Sequence, residues 1–139
     1  MIVTNDVLLA LDVGERRIGV ARADSIGRLA APLMTLDVDG TEIVALQRLM
    51  LENDATGLVV GLPRNMSGEP TKQTETVQSF VRDKLRAFDV PIAFQDESLT
   101  SVAAEQELQK RKKSYQKGDI DALAAALILQ DYMEATYGY

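Results

Sequence analysis

Residues 7–21, VLLALDVGERRIGVA, decide the fold of this chain. Residues 7–11 form a short, continuous apolar run that ends at Asp12, which is typical of a strand buried on both faces of a sheet. Gly14 allows a tight turn, and β character resumes over residues 18–21. The stretch therefore predicts two adjacent strands with an aspartate at the end of the first.

The rest of the chain extends these strands into an α/β pattern. A third strand is predicted over residues 29–36, so that three consecutive strands form an antiparallel meander. Apolar runs and helical spacing further along predict strands at 57–62 and 92–95 and helices at 41–53, 71–88, 100–112 and 119–133. Thr41 is the expected N-cap of the first helix. The meander followed by β-α units indicates a mixed five-stranded sheet with helices on both faces.

Composition limits the chemistry that the protein can use. The chain has no cysteine and no histidine, which excludes thiolate nucleophiles, Ser/His/Asp triads and ordinary zinc sites. Its formal net charge of −6 argues against binding nucleic acid through a global positive field. A nucleic-acid site must then be locally basic or bridged by metal ions.

Length and hydropathy predict the general class of protein. The 139 residues, of which 46% are hydrophobic and 26% charged, fit a single globular domain over 1–139. No run approaches the roughly 20 apolar residues that cross a bilayer, and no secretory signal is recognisable. We therefore expect a cytoplasmic protein without a membrane partner.

Three carboxylates occupy positions where ligands gather in α/β sheets, at strand ends and at a helix start. Asp12 and Glu97 follow buried strands, whereas Asp121 lies in the predicted first turn of the last helix. Asp121 shares a helix face with Ala125 and Ile128, so it points toward packed surface, where a carboxylate needs a partner or a cation. Without histidine, such a set suits oxygen coordination of Mg²⁺ or Mn²⁺.

Each of these carboxylates also has a purely structural interpretation. Asp12 can brace the turn that follows it. Strand alternation directs only one of Asp96 and Glu97 toward a site. The next helix can be capped by Asp96, Ser98 or Thr100. Asp121 is favoured at a helix N-terminus by electrostatics alone. The residue types by themselves leave both interpretations open.

Four motifs resemble the YqgF-type, RuvX-like family, whose members are described as Holliday junction resolvases and as nucleases that finish the 5′ end of bacterial pre-16S rRNA. They are ALDVGERRIGVARAD (10–24), VVGLPRNMSGEPTKQ (59–73), FQDESLTS (94–101) and KGDIDALAAALILQDYM (117–133). The resemblance covers nearly the whole chain and implies a ribonuclease H-like fold. It also implies that Asp12, Glu97 and Asp121 are the acidic positions of the family.

The resemblance further implies metal-dependent hydrolysis of phosphodiester bonds. Asp12 would be the shared ligand of two Mg²⁺ ions, roughly 4 Å apart, with Glu97 and Asp121 completing the separate ions and Mn²⁺ as a substitute. The products would carry a 5′ phosphate and a 3′ hydroxyl. One departure is Ser98, which stands where the family usually has arginine. The missing arginine can weaken contact with a phosphate.

Basic and loop residues near the acidic positions are candidates for contact with a nucleic-acid backbone, because arginine binds phosphate in a bidentate way and loop amides add neutral donors. These candidates are Arg16, Arg17, Arg64, Asn65, Met66, Gly68, Gln73 and Lys117. A solvated basic turn and a structural Gly/Pro loop are the alternative. Likewise, residues 110–113 form either a flap over the substrate or a solvated helix end.

Other functions are compatible with parts of this pattern. The actin and sugar-kinase superfamily shares the D-x-G turn and the meander, but its members clamp ATP between two such lobes and 139 residues supply one. A non-catalytic nucleic-acid-binding factor of ribosome assembly or transcription fits Ser98 and the acidic balance. The sequence does not distinguish precursor rRNA from branched DNA as substrate, nor a monomer from a weak homodimer.

Overall fold

The computed structural model describes residues 5–65, 67–97, 106, 110 and 117–138. Within these residues the chain alternates strands and helices after an initial run of strands. The elements are β1 (Val7–Val13), β2 (Arg17–Asp24), β3 (Ala31–Asp37), α1 (Glu42–Glu52), β4 (Gly57–Leu62), α2 (Lys72–Lys84), β5 (Ile92–Asp96) and α3 (Lys117–Tyr137).

The strands form one mixed sheet in the order β3-β2-β1-β4-β5. The pairs β1–β2 and β2–β3 are antiparallel, whereas β1–β4 and β4–β5 are parallel. Leu11 pairs with Val20 on one side and with Val60 on the other. The predicted five-stranded sheet, with its meander followed by β-α units, is therefore confirmed.

Helices cover both faces of the sheet, as the sequence predicts. Because alternate side chains of a strand point to opposite faces, β1 contributes to two cores. Leu9 and Leu11 pack with apolar residues of α1 and α2, and Leu8 and Ala10 pack against α3. The continuous apolar run of β1 is thus explained by burial on both sides.

The ends of two early helices differ in detail from expectation. Thr41 stands at the N-cap of α1 but makes no capping bond, because its hydroxyl donates instead to Asp39 Oδ1 at 2.5 Å. The second helix ends at Lys84 rather than at Phe88. Here the Phe88 amide donates to the Leu85 carbonyl at 3.0 Å, in a turn that brings the chain back toward β5.

The last helix is longer than predicted at both ends. It includes Lys117 and Gly118, which the sequence places in a basic break. Burial of Ile120 on the sheet (4% exposed) outweighs the roughly 1 kcal/mol that a helical glycine costs. At the other end, Arg28 donates to the Tyr137 carbonyl at 3.4 Å and lies over its ring. Tertiary contacts therefore set both limits of α3.

The predicted helix at 100–112 falls outside the described residues except for Gln106 and Lys110, which are helical. Ser98 and residues 111–113 of the basic segment also lie outside. Across the part of the chain that the structure describes, every helix is too short or too polar to cross a bilayer.

Candidate active site

A cavity opens where β1, β4 and β5 end, which is where α/β sheets bind ligands. Its volume is about 290 Å³. It is lined by Asp12, Val13, Gly14, Gly61, Pro63, Gln73, Val77, Glu97 and Asp121. The three carboxylates singled out in the sequence, which come from distant parts of the chain, therefore face one space.

The two strand-end carboxylates reach the cavity through ordinary β geometry. Asp12 lies in β1 opposite Gly19 of β2, between the buried Leu11 and Val13. Beyond β5, the Glu97 amide donates to the Leu62 carbonyl at 3.2 Å, so pairing with β4 continues for one more residue.

Strand alternation separates Glu97 from its neighbour, as predicted. The side chain of Asp96 is 63% exposed and pairs with Arg64 at 2.9 Å, whereas Glu97 lines the cavity. Only the second of the two adjacent acids therefore faces the candidate site.

Burial raises the pKa of the Glu97 carboxyl above its ordinary value, because the cavity wall disfavours the charged form. The space beside it depends on Gly61, where an added Cβ would lie 2.5 Å from Ile128 Cδ1 and 3.6 Å from Glu97 Oε1. A bound cation would offset this desolvation. The donor set, which consists of carboxylate oxygens, suits a hard divalent ion.

Asp121 is held by an ion pair with Arg17. The distance from Arg17 Nε to Asp121 Oδ2 is 2.5 Å, and the two side chains are 35% and 23% exposed. The hydrogen bond and the charge of Asp121 raise the pKa of the Arg17 guanidinium, and Asp37 adds to this effect. The partner that an inward-facing carboxylate requires is therefore an arginine of β2.

The position of Asp121 follows from a close contact between α3 and β2. An added Cβ at Gly19 would lie 1.9 Å from the Asp121 carbonyl oxygen, so only glycine fits there. Asp121 is the fifth residue of α3, which begins at Lys117. The prediction that it lies in the first turn is thus wrong, because the helix starts earlier than expected, while the prediction that it faces packed surface is confirmed.

Among the described residues, no group of three acidic side chains is close enough to hold one metal ion together. The arrangement inferred from the sequence does not require such a group, since it gives each of two ions a pair of carboxylates. A cation bound at Asp121 would compete with Arg17 for this carboxylate.

The sequence matches the family model described as "RuvX: Holliday junction resolvase" over residues 6–135. This chain belongs to the RuvX family. A protein of Chloroflexus aurantiacus named "Putative pre-16S rRNA nuclease" is 47% identical to it over 135 residues, covering 94% of this chain and 88% of the relative. A relative with the same name from Roseiflexus sp. is 42% identical over 132 residues, with 92% and 94% covered.

Solved structures confirm the ribonuclease H-like fold of this RuvX-family chain. RuvC of T. thermophilus in complex with a Holliday junction substrate superposes with a TM-score of 0.56 at 15% identity, covering 95% of this chain and 96% of that one. The fowlpox virus Holliday junction resolvase gives 0.54 at 12% identity, covering 93% and 99%. Family and relatives together identify the chain as a nuclease that hydrolyses phosphodiester bonds.

Among the described candidates for substrate contact, Gln73 and Arg17 have direct connections to the cavity. Gln73 lines the cavity, and its Nε2 donates to the Val13 carbonyl at 3.2 Å. Arg17 contacts the cavity through its bond to Asp121, whereas Arg16 is exposed and does not line the cavity. These positions make Gln73 and Arg17 better placed than Arg16 to meet a substrate held there.

The loop after β4 uses several of the other candidates for its own structure. The side-chain oxygen of Asn65 accepts from the amides of Ser67 and Glu69 at 3.0 and 2.9 Å. Arg64 bonds to Asp96 and to the Gly68 carbonyl, and Gly68 has a positive φ of 79°. Met66 and the side chain of Lys117 lie outside the described residues. Arg64 and Asn65 are therefore used for bonds within the loop and to Asp96, and neither lines the cavity.

Sequence reasoning missed Gly61, which lines the cavity, and Thr74, which bonds a residue that lines it. Gly61 is a glycine inside the apolar strand GLVVGL, a position that often marks close approach of another group. Thr74 is 1% exposed, forms a capping box with Thr71 and donates to the Pro63 carbonyl. The T-x-x-T spacing was a usable signal for the cap, but the contact with Pro63 depends on the tertiary fold.

Proposed function

We propose that this nuclease is a Mg²⁺-dependent enzyme that matures the 5′ end of pre-16S rRNA. The proposal takes its substrate from the curated relatives at 47% and 42% identity, which carry that name. The solved resolvases are only 15% and 12% identical and support the fold alone. We therefore propose RNA as the substrate. Branched DNA is the second candidate because of the description of the family.

The observation that carries the metal dependence is the lining of the cavity by Asp12, Glu97 and Asp121. Nucleases of this fold generally use divalent metal ions. Asp12 would ligate both ions, Glu97 one and Asp121 the other. Ions held there would supply an activated water and neutralise charge on the scissile phosphate.

The remaining cavity residues have roles that follow from their chemistry. The buried Val13 and Val77 lower the local polarity, which strengthens attraction between a phosphate and the cationic groups nearby. Gln73 and Arg17 are donors that could orient the phosphate without reading base sequence. A site built in this way suits both RNA and DNA backbones, so substrate choice must be measured.

The preferred substrate also has consequences for location and assembly. Processing of precursor rRNA would place the protein in the cytoplasm. Trimming of one RNA end requires one active site, so a monomer would suffice. Symmetric cutting of a four-way junction would require a dimer.

The proposal is tested by cleavage of three substrates side by side: a 5′-extended pre-16S rRNA fragment, an unrelated single-stranded RNA of equal length, and a four-way DNA junction. Each is incubated with Mg²⁺ and with EDTA. We expect Mg²⁺-dependent cleavage of the precursor in preference to the other two, leaving a 5′ phosphate on the mature fragment. Preferential cutting of the junction would replace RNA with branched DNA, and binding without cleavage of any substrate would indicate a non-catalytic factor.

A further inference from the structure

Arg17 and Asp121 have separate tasks in the proposed function, yet they bind each other. Asp121 would hold a cation and Arg17 would bind a phosphate, but the Nε to Oδ2 distance between them is 2.5 Å. A charge-assisted bond of this kind occupies a carboxylate oxygen that a metal ion would use. The closed pair therefore competes with both tasks.

The pair can open by side-chain rotation, without separation of the two backbones that carry it. A Cβ added at Gly19 would lie 1.9 Å from the Asp121 carbonyl oxygen, so α3 and β2 are packed directly against each other. The two side chains are nevertheless 35% and 23% exposed, within reach of ions from solvent. Arg17 is also opposite Asp37 in the β2–β3 register, and the charge of this second carboxylate likewise raises the pKa of the guanidinium.

We propose that Arg17 occupies Asp121 in the metal-free enzyme and is displaced by the incoming divalent cation, which turns the guanidinium toward a phosphate of the nucleic acid. This inference rests on the proposed role of Asp121 as a cation ligand. In the metal-free enzyme Arg17 then balances the charge of Asp121. Arg17 becomes available to bind a phosphate only when the metal is present. Cation binding and nucleic-acid binding should therefore strengthen each other.

The test is calorimetric titration with Mn²⁺ in the absence of nucleic acid. Arg17→Gln removes the competitor for Asp121, so it should bind Mn²⁺ more tightly than the parent, by roughly two- to fivefold for a partly exposed ion pair. Arg22→Gln is the matched control, since Arg22 lies in the same strand, is 36% exposed and pairs with Asp24 at 3.6 Å. Its affinity for Mn²⁺ should equal that of the parent.

A double-mutant cycle separates exchange from a general effect of charge. If Arg17 acts through Asp121, then Arg17→Gln should change Mn²⁺ affinity in the parent but not in the Asp121→Asn background. A gain of equal size in both backgrounds would overturn the exchange and leave simple repulsion. Equal or weaker Mn²⁺ binding by Arg17→Gln would overturn it as well, and would mean that Arg17 prepares Asp121 for the metal.

The same titrations distinguish failure of the exchange from failure of the proposed function. If the parent binds Mn²⁺ and Asp121→Asn binds it more weakly, Asp121 is a ligand, and the result for Arg17→Gln decides the exchange alone. If the parent does not bind Mn²⁺, or Asp121→Asn binds it as well as the parent, the cation role of Asp121 fails and the exchange fails with it.

Discussion

At the scale of single residues, burial of the Glu97 carboxyl affects how readily this group binds a cation. Its carboxyl lines a cavity that disfavours charge, and its pKa is raised for that reason. The metal-free protein therefore holds a group whose ionised form is costly. A cation that binds this group recovers part of that cost, so the burial of the ionised carboxyl favours metal binding.

Replacement of Glu97 by glutamine should change how stability depends on pH. Because the pKa is higher in the folded than in the unfolded state, the folded protein binds more protons between the two values. The Glu97 contribution is therefore most favourable at low pH and is lost as pH rises above the ordinary value of 4.5. We expect Glu97→Gln to remove this decline in the free energy of unfolding, measured by urea denaturation in EDTA.

The control for this experiment is Glu52→Gln, which changes an exposed glutamate on α1. Its pH curve should run parallel to that of the parent, since the substitution leaves the buried Glu97 carboxyl in place. A Glu97→Gln curve that is also parallel to the parent would contradict the burial of this carboxyl.

At the scale of secondary-structure elements, two glycines bring α3 against the sheet, and they should differ in their tolerance of a methyl group. At Gly19 an added Cβ meets the Asp121 carbonyl carbon and oxygen at 2.3 and 1.9 Å, which belong to helix backbone. At Gly61 it meets the end of the Ile128 side chain at 2.5 Å, which can rotate. Gly19→Ala should lower the free energy of unfolding by about 3 kcal/mol or more, and Gly61→Ala by about 1 kcal/mol.

Urea denaturation of the two variants provides the comparison, and each serves as the control for the other because both add one methyl group within a strand. Equal losses, or a larger loss for Gly61→Ala, would show that α3 does not press on β2 as described.

The sequence predicts elements well where local pattern and tertiary environment agree. The apolar runs of β1 and β4 indicate buried strands, and alternation correctly separates Asp96 from Glu97. Helix ends were predicted less well. The second helix stops at Lys84 because the chain must return to the sheet. The last helix, α3, extends to Tyr137 because Arg28 binds its end. Neither cause is visible in the local spacing of apolar residues.

At the scale of the whole molecule, the sheet order explains how three distant carboxylates come to face one cavity. The parallel alignment of β1, β4 and β5 brings Asp12 and Glu97 to the same edge, and α3 crosses that edge with Asp121. The family resemblance named these residues in advance. Their catalytic roles and the single-domain interpretation of the chain remain predictions.

The contacts that tune the site could not be read from the sequence. Arg17 and Asp121 are 104 residues apart, and their bond depends on the register of α3 over β2. The same holds for Gln73, whose amide meets the Val13 carbonyl across the cavity. The residue types suggest that Asp121 is a metal ligand and that Arg17 binds phosphate. Only the packing shows that the two side chains bind each other.

Hydrolysis by this nuclease requires the cavity carboxylates to hold the cations, and single-turnover cleavage by Asp12→Asn tests this requirement most directly. The matched control is Asp83→Asn, which alters a carboxylate that is 60% exposed and paired with Arg82 on α2. In Mg²⁺, Asp12→Asn should cut the precursor at least about 100-fold more slowly than the parent, because losing even a group that supports a metal ligand costs about 10- to 100-fold. Asp83→Asn should match the parent. A folded Asp12→Asn that cleaves at the parental rate would contradict the role of Asp12 as a metal ligand.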